Sequence, residues 1–536
     1  MPEAKTKIPW ISLGAAGSGL ILLATLLAWI SARFQSLQGW ASFLVVGTLA
    51  AALVWGAWRA LRGEPRPAWL IYLVIGAALL RLAVGAFWYL ALPAWGYASP
   101  PEQAGYVMAD AHERDQAAWE LARSGKPLLA AFQGAYRKAD QYGGLLYLSA
   151  AVYRYSGVQT HQPLLIVTLA AAFSSLVVLF TWALAQRAWG ELAALISAWG
   201  LALYPEAILL GSSQMREAFL MPLVALAFWG LLRAVQLRSV NGLAWVLGAL
   251  LVCLPFSPPV AGLLFALLLF VSLFVYDGGF LRQFARNRRN LLLLILLALL
   301  ILAATWLALR QLAPEVASNP LALLQWWLKK TAEWQAHLSK RASGWVQKIF
   351  KSTPEWMHLP LLLFYGVLQP FLPAALIDLS GAPLWRGVAI WRALGWTLLL
   401  PLLLYAPLRA WRRNGLQRRL ARGLSLAVWL VILLSSYRSG GDQWDNPRYR
   451  AIFAGLQIAL AAWAWSAPRR HPDPWLRRVL VGLGFVLAWF VPWYLRRYTP
   501  MQWPVVDLFK TLGLGLASAI LYWIWDWAGE SFRRKT

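Results

Sequence analysis

Between Ala109 and Gly125 the chain reads Ala-Asp-Ala-His-Glu-Arg-Asp-Gln-Ala-Ala-Trp-Glu-Leu-Ala-Arg-Ser-Gly, four acids and two arginines in an otherwise apolar sequence. Asp110, Glu113 and Asp115 are the candidate catalytic residues, because a carboxylate held beside a membrane can take a proton from an acceptor hydroxyl. Two further stretches add charge: 205–217 with Glu206, Arg216 and Glu217, and 437–450 with Arg438, Asp442, Asp445, Arg448, Tyr449 and Arg450. Guanidinium forks suit phosphate oxygens and stabilise charge developing on a phosphate leaving group. Arg448, Arg450, Arg438 and Arg216 are therefore expected to bind phosphate, with Glu217 and Tyr449 in support. Each cluster also has a plainer reading: Asp110 and Arg114, four apart, can pair on a helix surface, Arg448 and Arg450 can snorkel at a membrane interface, and Arg216 can pair with Glu217. Arg81 lies in the middle of an apolar run, where a charge costs about 2.5–3.5 kcal/mol on insertion scales, so it should face an anionic partner or a polar cavity.

Other chemistries lack their signatures. There is no GxxxxGK[ST], no Gly-rich dinucleotide fingerprint and no GxSxG, and His112-Glu113 has no second histidine at HExxH spacing. The single cysteine, Cys253, excludes an internal disulfide and a CxxC metal site.

The elements that must position these residues are membrane spans. The 536 residues are 60% hydrophobic and only 13% charged, and apolar runs of about 18–25 residues recur. The expected fold is all-α, a polytopic membrane protein of about 14 transmembrane helices; the uninterrupted runs fit neither an outer-membrane barrel nor a soluble domain. The net charge of +27 suggests nucleic acid at first sight, but Lys and Arg sit in short loops between apolar runs, which is positive-inside patterning. Thirty-five tryptophans suit interfacial belts. The run 8–30 after Lys5 and Lys7 exceeds a signal-peptide core and reads as an anchor.

Spans are expected at 8–30, 40–58, 68–95, 163–185, 192–210, 218–234, 243–256, 260–276, 291–309, 388–408, 424–434, 451–467, 479–495 and 512–527. Both termini then lie in the cytoplasm of an integral multi-pass protein, and two large helical loops, 96–162 and 311–358, lie outside. In the second loop Leu324, Trp327, Trp334, Leu338, Trp345 and Ile349 form a helical stripe with lysines around it, the pattern of an amphipathic helix on anionic lipid. The piece 359–377 breaks the charge alternation and reads as a re-entrant segment around Gln369-Pro370.

The arrangement resembles the C-type (GT-C) membrane glycosyltransferases, the superfamily of protein mannosyltransferases and aminoarabinose transferases (family 39-like). Its members open a large first external loop on a pattern like Asp-Ala-x-x-Tyr-Asp-x-x-Ala-x-x-Leu-Ala-x-Gly. Here Asp110-Ala111, Asp115, Ala118, Leu121-Ala122 and Ser124-Gly125 match it, with Arg114 in the tyrosine position and the glycine one residue later. The Tyr204-Pro205-Glu206, Ser212-Ser213, Arg216-Glu217 series and Arg448-Tyr449-Arg450 before a span are similar too. The likeness in layout covers about residues 68–460.

The resemblance implies an inverting transfer of a sugar from a polyprenyl-phosphate donor to a hydroxyl acceptor, with Asp110 as general base, arginines on the departing phosphate, and Arg81 supporting. It implies no obligatory cofactor; a divalent cation on Asp110 and Glu113 is the variant that the oligosaccharyltransferase branch suggests. Partners are the lipid-linked sugar, membrane lipids and an acceptor, not nucleic acid, in a bacterial plasma membrane. The expected organisation is 1–67 as two added helices, 68–310 as the catalytic module, 311–387 as amphipathic loop and re-entrant segment, and 388–536 as C-terminal helices. An O-antigen-type polymerase or ligase is the second enzymatic reading. A lipid or solute transporter is the non-enzymatic one, which should carry broken helices or repeats around midplane charges.

Overall fold

The computed structural model describes residues 10–533 apart from 33, 35, 278, 280–287, 314–318, 320, 324, 328, 331–350, 379–380, 413–414, 441 and 471–472. Among these residues the regular structure is helical throughout, without a strand. Nine helices are long and apolar enough to cross a membrane, ten if the pair Glu191–Leu203 and Pro205–Gly211, bent by 53°, counts as one span. The protein is thus an all-helical, polytopic membrane protein. Four more expected spans correspond to shorter described apolar segments, 17–31, 240–256 and 295–311, and to the helix Ala454–Arg470. Of the stripe expected in 311–358, only Trp327 falls among the described residues.

The chain divides into two compact units. The first, residues 1–184, 198–269 and 280–327, begins with a hairpin of α1 (Trp10–Ala32) and α2 (Leu37–Ala60). Ser36 caps α2, its hydroxyl accepting from the Gly39 amide at 3.0 Å, which satisfies one of the orphan donors of the first turn. Next come α3 (Ala68–Trp95), α4 (Pro100–Gln103), α5 (Ala109–Arg123) and α6 (Gly144–Ser156). The helix α7 (Leu164–Trp189) follows, then α8 (Glu191–Leu203), α9 (Pro205–Gly211), α10 (Glu217–Leu237), α11 (Val240–Phe256) and α12 (Pro258–Tyr276).

At 1.5 Å per residue the 28-residue α3 is about 42 Å long, enough for a bilayer core. The helix α7 has 94% of its apolar window buried, so it carries protein on every side, whereas α3, at 33%, keeps a broad face for lipid. Glycines allow two close approaches. A Cβ on Gly242 would stand 2.4 Å from the Ala234 nitrogen where α11 meets α10, and one on Gly144 would stand 2.2 Å from the Pro255 carbonyl where α6 meets the end of α11.

The second unit holds residues 185–197, 270–279 and 328–536. Its helix Pro383–Trp411 packs on Leu416–Ser439 and Ala454–Arg470, and Pro474–Leu495 pairs with Leu508–Arg533. The piece read from sequence as re-entrant is two helices, Glu355–Leu368 and Leu372–Ile377, separated at a cis Gln369–Pro370 bond. The longer has 14 residues, about 21 Å, short of a bilayer core of roughly 30 Å.

Candidate functional site

The helix α5 takes its register from the buried Ala111, Ala118 and Leu121, which recur at helical spacing, the last two packed against α6 and residues 128–132. Asp115, four residues after Ala111 and three before Ala118, must fall on that same face. It is 1% exposed, while Asp110 and Glu113 lie on the exposed side of the helix. Arg154 of α6 closes the other end, donating from Nε to the Ala122 carbonyl (3.1 Å) and from Nη2 to those of Leu121 (2.6 Å) and Ser124 (2.9 Å). A cation on the last carbonyls of a helix satisfies orphan acceptors and complements its dipole.

Around Asp115 the chain brings together four donors from four places. Oδ2 accepts from the Tyr106 hydroxyl at 2.6 Å, from Tyr153 at 2.9 Å, from His161 Nε2 at 2.9 Å and from Gln214 Nε2 at 3.2 Å, and Oδ1 accepts from Tyr153 at 2.8 Å. A carboxylate offers about four lone-pair sites, and here the four donors gather mainly on Oδ2. Burial first, then the negative charge of Asp115, pushes the Tyr106 and Tyr153 hydroxyls well above the ordinary phenol range, which keeps both as donors.

Arg114, one residue earlier, is also buried. It donates to the Gln214 carbonyl at 2.9 Å, and its Nε lies 3.8 Å from Asp140 Oδ2. Burial lowers its pKa and Asp140 opposes that. Asp140 in turn accepts from the amide of Leu146 in the first turn of α6 at 3.0 Å. Position 114 thus faces the turn 212–216 rather than water, and the charge of Asp110, four residues earlier, also favours the charged guanidinium.

Above Asp115 lies a cavity of about 170 Å³ bordered by Tyr89, Tyr106, His112, Gln116 and His161. The Gln116 amide donates to His112 Nε2 at 2.8 Å. Burial, opposed by Asp115, lowers the His112 pKa from 6.5. An unfolded chain would therefore bind a proton here more readily than the folded one, so this contribution to stability is present above pH 6.5 and lost as pH falls below it. Protection factors across α5, with the slower intrinsic exchange at low pH divided out, should accordingly fall below that pH, and His112→Gln should flatten the dependence.

Of the remaining expected residues in this unit, Arg216 is partly exposed, with its guanidinium 5.0 Å over the Tyr142 ring and Nη2 3.4 Å from Gln141 Oε1. Glu217 and Glu206 are each 1% exposed. Arg81 is fully buried and donates to the carbonyls of Ala77 (2.9 Å) and Leu201 (3.4 Å). Those carbonyls replace the carboxylate that an ion-pair reading would require.

In the second unit Arg448 is 6% exposed and 3.4 Å from Asp445. Arg450 is fully buried with its guanidinium 3.3 Å over Trp396, and both Arg438 and Arg448 lie over the Tyr449 ring. Arg392, unremarked in the sequence, stacks 4.2 Å over Trp444. Within the first unit Asp115 of α5 meets the 205–217 stretch through Gln214, and within the second unit the 437–450 stretch gathers arginines on aromatic rings.

Among the described residues no three His, Cys, Asp or Glu side chains gather as a metal-binding group. Asp110 and Glu113, the pair considered for a divalent ion, sit on the exposed side of α5, where an ion would take its remaining ligands from water and substrate phosphate. The residues that sequence reasoning passed over are Tyr106, Tyr153, His161 and Gln214. Two of the chain's five histidines falling in 96–162 was the one available signal.

No family model matches the chain, and no curated protein does. Its helices are similar in arrangement to solved structures of an oligosaccharyltransferase from Archaeoglobus fulgidus. One is AglB in complex with an inhibitory peptide and a dolichol-phosphate, at 15% identity and TM-score 0.38 over 84% of this chain and 56% of that one. Another is the apo form, at 15% identity and TM-score 0.41 over 85% and 57%. A third is the complex with Zn and sulfate, at 15% identity and TM-score 0.38 over 83% and 53%. The chain spans just over half the length of these proteins.

Proposed function

We propose that the protein is a membrane glycosyltransferase that moves a sugar from a polyprenyl-phosphate donor to a hydroxyl acceptor with inversion. The observation that carries this reading is the buried, hydrogen-bonded Asp115 joined through His161 and Tyr106 to a cavity bordered by two histidines, in the segment whose sequence resembles the first loop of the GT-C enzymes. In the reaction the acceptor oxygen attacks the anomeric carbon, the bond from that carbon to the phosphate oxygen breaks, and polyprenyl phosphate leaves with the electron pair. Arg448, Arg450 and Arg438 are assigned to that phosphate, since charge-assisted contacts to an anion strengthen as its charge grows. Arg216 keeps the phosphate-binding role its type suggests, and Glu217 and Arg81 are proposed as supporting residues. The acceptor proton goes either to Asp110, which the resemblance implies, or to the His161–Asp115 pair.

Full-length protein in lipid nanodiscs, given polyprenyl-phosphate mannose, glucose and aminoarabinose in turn, should release polyprenyl phosphate from one of them. Release only from pyrophosphate-linked oligosaccharides would favour the polymerase or ligase reading. Movement of lipid across vesicles with no sugar transfer would favour a transporter.

A further inference from the structure

We propose that His161 is the proton acceptor of this site and that Asp115 is the residue that positions it, an assignment that rests on the glycosyltransferase reading above. His161 lies in the short connection from α6 to α7. Gly157, in the left-handed region at φ 69°, ends α6 there, and Pro163 precedes α7. The imidazole stacks on Trp119 with centroids 5.4 Å apart and meets Tyr153 edge-on at 5.4 Å. An ionised carboxylate only accepts hydrogen bonds, so the 2.9 Å contact with Asp115 Oδ2 places the hydrogen on Nε2. Nδ1 keeps its lone pair, and among the described residues no group hydrogen-bonds to it. The side chain is 27% exposed and borders the cavity.

The other groups around the cavity are excluded one by one. Asp115 is 1% exposed and is not among the cavity residues. The Tyr106 hydroxyl is committed to Asp115, and Tyr153 likewise. His112 Nε2 is occupied by the Gln116 amide. Asp110 is on the exposed side of α5 and is not among the cavity residues. At about 30 Å³ per water, the cavity admits a hydroxyl together with part of the ring that carries it.

The step balances as follows: the acceptor O–H gives its proton to His161 Nδ1 as the oxygen bonds the anomeric carbon, and polyprenyl phosphate departs with the electrons of the broken C–O bond. The imidazolium that forms has the buried carboxylate of Asp115 against its other N–H, which favours that charge. The charged and titratable groups around His161 are Asp115 and His112 from α5, Tyr153 from α6, Tyr106 from the connection before α5 and Tyr89 from α3, across the same cavity.

The test measures polyprenyl phosphate release by the full chain in nanodiscs against pH. His161→Gln keeps an N–H for Asp115 but has no basic nitrogen. It should lower kcat by about 10²–10⁴, the usual worth of a general base, leave donor KM within twofold, and erase the acid limb of the kcat/KM profile. Asp115→Asn should lower kcat at unchanged KM. An acid limb that persists in His161→Gln with kcat near wild type overturns the assignment alone. No release by the wild type from any donor overturns the transferase reading, and the assignment with it. Should His161→Gln not fold, the ¹⁵N spectrum of the neutral histidines decides: Nε2 protonated with Nδ1 bare supports the assignment, and the opposite tautomer overturns it.

Discussion

Replacing Asp115 by leucine is expected to destabilise the protein by about 3–5 kcal/mol, the scale for breaking a buried charged network by removing one member. Leucine shares the branching of aspartate and is the larger side chain, so no cavity is left. The cost comes from the four donors left behind: the hydroxyls of Tyr106 and Tyr153, His161 Nε2–H and the Gln214 amide, all of which now end on one carboxylate. Each unsatisfied buried donor costs about 1–3 kcal/mol, and water entering from the cavity would relieve some of that. The four donors come from the connection before α5, from α6, from the α6–α7 connection and from the turn before α10, so the loss should loosen this unit cooperatively rather than fray one helix. Thermal unfolding in detergent, followed by tryptophan fluorescence, measures it. A melting temperature within a degree or two of wild type would mean that the network contributes nothing to stability.

Arg448→Ala is expected to raise the KM for a polyprenyl-phosphate donor about 10- to 100-fold, on the scale of about 1.5–3 kcal/mol for a hydrogen bond to a charged group. Arg448 lies at 6% exposure between Asp445 and the Tyr449 ring, so its guanidinium is oriented before any anion arrives and loses little freedom on binding one. Arg448→Lys should recover only part of the loss, because an ammonium keeps the charge but not the planar fork. A donor KM unchanged in Arg448→Ala would withdraw the phosphate role and leave the residue as an interfacial arginine paired with Asp445.

Much of the scaffold was legible because bilayer thickness imposes one length on every span. The runs 40–58 and 68–95 needed no tertiary information to be placed, and α3 begins and ends at the expected residues. The run 192–210 was read as a single span and is bent by 53° between Leu203 and Pro205; a proline at a helix start was visible there, but the size of the bend depends on what the two halves pack against. At the site, the pattern of acids pointed to α5, and the family-like motif favoured Asp110. The helical period carried a second message, since Ala111, Asp115 and Ala118 share a face.

The sequence by itself determined the class of this protein, an all-helical membrane chain, together with the lengths of its spans, the helical register of α5 and the clustering of four acids in Ala109–Gly125. These are properties of local composition and period, and they need no partner. Only the tertiary structure decided which acid is buried and what holds it. Tyr106, Tyr153, His161 and Gln214 lie up to 99 residues from Asp115, and no local periodicity encodes such distances. Hydrogen-bond satisfaction in a buried site is a property of the assembled fold, where an unmet donor is costly. The Ala109–Gly125 stretch supplied the carboxylate, and the packing of α5, α6 and the turn before α10 made Asp115, rather than Asp110, the residue that orients a histidine.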